Sequence, residues 1–287
     1  MMPVPRFFAD YQERVDAELR RLMPAGTERV GEAMAYTLLA PSKRVRPVLT
    51  LLTAELCGGE TGHALVAACA VEMVHASSLI LDDLPSMDDA PRRRGQPANH
   101  VEFGEAIAIL AAFGLLNQAY LTIARSYPPE LAAALSRLVG EAVGCDGLVA
   151  GQAADLLATD RDINFDLLER IHRGKTGALF NASAVAGAMT AQAGAEAIAS
   201  LSAFARNLGL AFQIIDDLLD VEGDPAETGK AVRQDARKTT FVSFSGVAGA
   251  HQLASELCQT ADRALTPFGR DADRLRQLSA FVAARNR

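Results

Sequence analysis

Between Pro129 and Pro225 the chain contains no proline. A proline inside a helix removes a hydrogen bond and clashes with the turn before it, so this long interval leaves room for unbroken helices. Among the other prolines, Pro24, Pro41, Pro47, Pro85, Pro91, Pro97, Pro128 and Pro267 predict element boundaries. In FFADYQERVDAELRRLM (residues 7–23) apolar residues recur every three or four positions, the spacing of one buried helix stripe. HALVAACAVEMVHASSLILDD (63–83) is apolar on nearly all sides and predicts a central helix. NASAVAGAMTAQAGAEAIASLSAFARNLG (181–209) predicts two close-packed helices turning near Gly194. Strand-like alternation of β-branched and aromatic residues is missing, and no Ser/Gly/Pro-rich linker divides the chain. The expectation is one all-α domain over residues 1–287, a single large helical bundle of ten or more helices.

Hydrophobic residues make up 49% and charged residues 22%, which suits a soluble globular protein with a large core. A net charge of −7 argues against nonspecific nucleic-acid binding, which needs a basic footprint. Cys57, Cys69, Cys145 and Cys258 form no CxxC pair and lack histidines at zinc-ligand spacing, so they read as small hydrophobes in a reducing compartment. The N-terminus lacks the basic-then-apolar order of a signal peptide, and no run of 18 or more apolar residues predicts a membrane span. A cytoplasmic location and no transmembrane segment are the expectations.

The end of the predicted central helix is in conflict with its own electrostatics. Asp82 and Asp83 sit at its C-terminus, where the helix dipole favours cations, and Asp88 and Asp89 follow. Carboxylates this crowded repel one another unless arginines or divalent cations intervene. Arg92, Arg93 and Arg94 come next in the sequence. Hard oxygen donors suit Mg²⁺, which binds one or two carboxylates together with substrate phosphates.

A second cluster, FQIIDDLLD (212–220), places Asp216 and Asp220 on one helix face with Asp217 beside them. Two acidic helices about 130 residues apart are hard to explain as solvated surface. Facing each other, they would cage several divalent ions and hold a diphosphate between them. Basic residues complete such a site: Lys43, Arg44 and Arg46; Arg92 to Arg94; Arg173 and Lys175, with Thr176 beside them; and Lys230, Arg233, Arg237 and Lys238. Taken singly, each run reads as a solvated face. Together they could form a metal-free anion site. His75 lies seven residues, about two turns, before Asp82 on the same side of the helix.

These motifs resemble the trans-isoprenyl diphosphate synthases, or polyprenyl synthetases. SKRVRP is similar to the family's GGKRxRP, with Pro41 and Ser42 replacing the glycines. DDLPSMD resembles the bacterial first aspartate-rich motif, followed by Arg93, Arg94 and Gly95. GLVAGQAADL, HRGKTGALF and FQIIDDLLDVEGD resemble GMVxGQxxDL, HxxKTGxL and the second aspartate-rich motif. The resemblance covers almost the whole chain. It implies an all-α bundle with a deep central cavity, usually a homodimer. It implies head-to-tail condensation of isopentenyl diphosphate with an allylic partner (dimethylallyl, geranyl or farnesyl diphosphate), dependent on Mg²⁺ (or Mn²⁺), with three ions per site.

By position, the resemblance assigns Asp82, Asp83, Asp88, Asp216, Asp217 and Asp220 to the metals. Arg93, Lys175 and Lys230 would hold the allylic diphosphate. Lys43, Arg46, His75 and Arg94 would hold isopentenyl diphosphate. Thr176 and Gln213 would sit near the developing cation. Phe113 stands where the family often has an acidic residue, which would alter the cavity wall. Ser77 and Ser78, one turn deeper than Asp82, are small and would leave the cavity open for a geranylgeranyl product, with farnesyl as the alternative. A terpene cyclase would normally carry an Asn/Ser/Glu second metal motif instead of DDLLD. A non-catalytic synthase subunit would commonly lack one aspartate motif, whereas both are kept here.

Overall fold

The computed structural model describes residues 5–23, 28–222 and 238–284 of the 287-residue chain. Thirteen α-helices are present among the described residues: α1 (Arg6–Leu22), α2 (Arg29–Leu38), α3 (Val45–Leu56), α4 (Thr61–Asp82), α5 (Asn99–Phe103), α6 (Glu105–Ser126), α7 (Pro129–Val143), α8 (Leu148–Ala158), α9 (Phe165–His172), α10 (Ala178–Thr190), α11 (Ala195–Glu222), α12 (Phe241–Ala264) and α13 (Asp273–Ala283). The proline-free stretch supplies the 28-residue α11. The turn expected near Gly194 falls between α10 and α11.

The architecture follows from where apolar surface is continuous. α4 packs against α1, α2, α3, α6 and α10, and α10 in turn packs against α3, α7 and α11. α4 and α11, the two helices with aspartates in their C-terminal turns, therefore flank α10. Small residues bring these backbones close. A Cβ added at Gly187 of α10 would lie 2.1 Å from the Thr50 carbonyl of α3. By length and composition alone α4, α6 and α11 could cross a membrane, although none holds an unbroken run of 18 apolar residues. α4 is mostly enclosed by its neighbours, whereas α6 leaves Ile109, Leu110 and Phe113 exposed.

Two local features depart from the all-helical expectation. Arg92–Arg93 and Gln96–Pro97 (β1 and β2) form a short antiparallel hairpin. Its turn residues Arg94 and Gly95 have φ of 53° and 79°, and this turn carries Arg93 and Arg94 back toward α4. Between α9 and α10, residues Arg173–Gly177 form a π-helical turn. Such turns are rare and occur often at functional sites. Here the turn carries Lys175 and Thr176.

Candidate active site

The loop after α4 folds back on the helix end. Asp88 N–H donates to the Asp82 carbonyl at 3.0 Å, and Ala90 N–H donates to the Asp83 carbonyl at 3.2 Å. Asp88 is thereby returned to the side of Asp82 across the inserted residues. Both carboxylates meet lysines. Lys175 Nζ is 3.1 Å from Asp82 Oδ1 and 3.8 Å from Asp88 Oδ2, and Lys238 Nζ is 2.7 Å from Asp88 Oδ1. The two ammonium groups converge on one oxygen of a third carboxylate: Asp155 Oδ2 lies 2.8 Å from Lys175 and 3.0 Å from Lys238.

Asp155 is a buried residue of α8, and burial alone would raise its pKa. Lys175 and Lys238 more than offset that and hold it below the usual carboxylate value. Burial would lower Lys175, but Asp82, Asp155 and Asp88 raise it above the normal lysine value. The result is two firmly charged cations among three carboxylates.

Backbone contact fixes the π-turn that presents Lys175. A Cβ on Gly151 of α8 would lie 2.2 Å from Lys175 N, and one on Gly174 would lie 2.8 Å from the Gly147 carbonyl. α8 and the turn can approach this closely only with glycine at both positions. On the other side, Thr176 Oγ1 donates to Gln213 Oε1 of α11 at 3.0 Å, and Gln213 Nε2 donates to Asp217 Oδ1 at 3.0 Å. The second acidic helix is thus hydrogen-bonded to the turn that reaches the first.

Two aspartates expected to ligate metal have other partners. Asp83 is buried and accepts from Arg93, with Arg93 Nε at 3.0 Å from Oδ1. Asp217, also buried, accepts from Gln213 and, at 2.9 Å, from the backbone N–H of Phe241 at the start of α12. In both residues each carboxylate oxygen is thus engaged by an N–H donor of the protein. Arg93, expected at the allylic diphosphate, is paired here with Asp83. Asp216 and Asp220, half-buried and one turn apart on α11, remain in the expected cluster.

A second basic group lies beneath the hairpin. Arg46 Nη1 is 3.3 Å from His75 Nε2 and its guanidinium lies over the Phe180 ring. Burial, then Arg46 and Arg94, push the His75 pKa well down, so the neutral ring accepts from Arg46. Arg94 Nη1 is buried with no hydrogen-bond partner, a cationic donor aimed where an anion would be stabilised. Lys43 lies in the loop before α3, which Gln12 Nε2 holds by donating to the Ser42 carbonyl at 2.6 Å. Arg44 has a different role. With φ of 49° it turns inward to Asp16 at 2.8 Å and Glu72 at 2.7 Å and serves as a buried structural cation.

The chain-length residues are placed differently from expectation. Ser77 is buried and donates to the Ala112 carbonyl of α6 at 2.8 Å, so it packs on α6 rather than facing open space. Ser78 is half-buried and bonds the His75 carbonyl. Phe113 is 65% exposed on the outer face of α6 and lines no interior wall of this chain. A pocket of about 10 Å³ lies behind Arg93 and Arg94, and an open groove of about 650 Å³ runs along Arg263, Arg270 and Arg276, away from the acidic clusters. Neither is the deep central cavity expected. Lys230, Arg233 and Arg237 lie outside the described residues.

Residues 27–264 match the polyprenyl synthetase family model. The chain belongs to the polyprenyl synthetase family. It is a prenyltransferase with the all-α fold of the trans-isoprenyl diphosphate synthases. It is 40% identical over 293 residues to a farnesyl diphosphate synthase of Geobacillus stearothermophilus, covering 99% of each chain. It is 42% identical over 268 residues to geranylgeranyl pyrophosphate synthase 11, chloroplastic, of Arabidopsis thaliana, covering 90% of this chain and 75% of that one. It is also similar in structure to a geranyltransferase from Helicobacter pylori complexed with magnesium and isoprenyl diphosphate, with a TM-score of 0.85 and 26% identity, covering 98% and 97% of the two chains.

Magnesium fits the polyprenyl synthetase residues present. Among the described residues no group of three or more candidate ligands is gathered around one point. An ion that takes one or two carboxylates plus phosphate oxygens needs no such cage. The lysine ammonium groups between Asp82, Asp88 and Asp155 already stand where cations are favoured. Asp155, within GQAADL, is not among the residues the sequence singles out. The signal available was a lone acid in an otherwise apolar helix.

Proposed function

We propose that this prenyltransferase condenses isopentenyl diphosphate with allylic diphosphates (dimethylallyl, geranyl and farnesyl) and releases geranylgeranyl diphosphate as its main product. The observation that carries the reading is the convergence of Lys175 and Lys238 on Asp82, Asp88 and Asp155. Here the chain holds cations and carboxylates ready to exchange partners with a diphosphate. Asp82, Asp88, Asp216 and Asp220 would hold Mg²⁺, or Mn²⁺, three ions in all. Bound ions neutralise charge on the departing diphosphate and make it a better leaving group. Lys175 and Lys238 turn from the carboxylates to the allylic diphosphate. Arg46, Arg94 and neutral His75, with Lys43, receive isopentenyl diphosphate. Thr176 and Gln213 present oxygen dipoles to the carbon that becomes positive.

The preference for twenty carbons over fifteen rests on Ser78, small and half-buried one turn before Asp82, while Ser77 is packed on α6 and does not bear on it. The apolar outer face of α6, with Ile109, Leu110 and Phe113, supports a homodimer. Four free cysteines support a cytoplasmic, reducing location. The test is chromatography of dephosphorylated products after incubation of the purified protein with isopentenyl diphosphate and each allylic primer. A dominant twenty-carbon alcohol is expected. A dominant fifteen-carbon alcohol overturns the product assignment, and absence of any condensation overturns the function.

A further inference from the structure

The second acidic helix carries three aspartates, and one of them is built differently from its neighbours. Asp217 has 3% of its surface exposed, and each of its carboxylate oxygens has an N–H aimed at it. Oδ2 accepts from Phe241 N at 2.9 Å, at the first turn of α12. That end of a helix carries unsatisfied N–H groups and favours negative charge. Oδ1 accepts from Gln213 Nε2 at 3.0 Å. A carboxylate can only accept, so it decides which way the Gln213 amide points. With Nε2 turned to Asp217, Oε1 must face Thr176, and Thr176 Oγ1 donates to it at 3.0 Å. The hydroxyl proton is thereby committed away from the site, and the lone pairs of Thr176 are what remains to face a reactant held at the neighbouring Lys175.

We propose that Asp217 is a positioning residue: through Phe241 N–H, Gln213 and Thr176 it sets the direction of a dipole chain whose oxygen end meets the developing allylic cation. This rests on the prenyl-transfer reading and adds a role for an aspartate of the second acidic motif other than metal ligation. The physical reason is directional. Asparagine at position 217 is nearly isosteric and still offers an oxygen to Phe241 N–H. Its amide nitrogen, however, donates to Gln213 Oε1. Gln213 then turns over, its Nε2 donates to Thr176, and the Thr176 proton points at the cation. The same atoms would repel the charge they had stabilised, in a dry site where fixed dipoles act strongly.

Two variants and two readouts test this. Asp217→Asn is expected to lower kcat by about tenfold or more. Both substrate KM values and the Mg²⁺ concentration for half-maximal rate should stay within about twofold of wild type by the same reasoning. Thr176→Val cuts the chain at its other end and should show the same kcat-only loss, and adding Asp217→Asn to it should cost little more. The second readout needs no turnover: Mn²⁺ titrated in the presence of inorganic pyrophosphate, followed by electron paramagnetic resonance. Asp216→Asn should weaken that binding and Asp217→Asn should leave it unchanged. Loss of Mn²⁺ affinity in Asp217→Asn, or fully multiplicative losses in the double variant, overturns the proposal. Lack of prenyl transfer by the wild-type protein instead strikes the functional reading, because the Mn²⁺ titration stands apart from it.

Discussion

Replacing Gly151 by alanine tests whether backbone contact positions the π-turn. The added Cβ would start 2.2 Å from Lys175 N, and ordinary contact begins near 3.4 Å. α8 and the turn must therefore separate by about 1.2 Å, the difference between those two distances. The neighbours on this side are backbone atoms of Gly174, Lys175 and Ile171, so no flexible side chain can absorb the shift. Overpacking of this kind costs ~1–3 kcal/mol of stability. Moving a catalytic group by about 1 Å can cost ~10²-fold in rate. Gly151→Ala should thus remain folded, with a lowered urea midpoint, and lose about two orders of magnitude in kcat. Gly62→Ala is the control, since nothing lies within 4 Å of the added Cβ. It should be neutral or slightly stabilising. Near-wild-type kcat in Gly151→Ala would refute the argument that this contact positions Lys175 and Thr176.

Arg94→Ala should raise the KM for isopentenyl diphosphate more than that for the allylic partner, by the ~1.5–3 kcal/mol of one charge-assisted hydrogen bond; steady-state kinetics with each substrate varied in turn will show whether the effects divide that way. If α6 forms the proposed dimer interface, Phe113→Asp, which places a charge in its exposed apolar face, should leave only monomer in sedimentation velocity, with the fold retained. For His172, burial first, with Lys175 and Lys238 adding, pushes the pKa down to about 4. The folded protein keeps it neutral while the unfolded chain takes up a proton near pH 6.5. Stability from this residue is therefore complete above about pH 6.5 and lost as pH falls toward 4, by at most roughly 1.4 kcal/mol per pH unit. Urea midpoints across that window should fall less steeply in His172→Gln.

The helices and both acidic clusters were legible because each is a local pattern. Apolar periodicity fixes a helix face, and two aspartates at its end declare an electrostatic conflict without any tertiary information. What the patterns left open was decided by contacts between distant segments. The pairing of Asp83 depends on the hairpin that returns Arg93 to it. The pairing of Asp217 depends on α12 arriving with an unsatisfied N–H at Phe241. In the run SKRVR all three cations look alike, yet the left-handed backbone at Arg44 buries one against Asp16 and Glu72. Asp155 has no acidic neighbour in sequence and acquires its role only when Lys175 and Lys238 meet it. At Phe113 the sequence shows a difference from the family pattern but not the outward direction of that face of α6.

The central claim is that two acidic helix ends act together on a metal-bound diphosphate. It is tested most directly by prenyl-transfer rates of wild type, Asp82→Ala and Asp216→Ala, each with Mg²⁺ and with the metal chelated, and with folding checked by circular dichroism. Turnover should require the metal in wild type, and each folded variant should lose ~10²-fold or more, the scale of one missing electrostatic element worth ~3 kcal/mol. Metal-independent turnover, or near-wild-type rates in either folded variant, would contradict the claim.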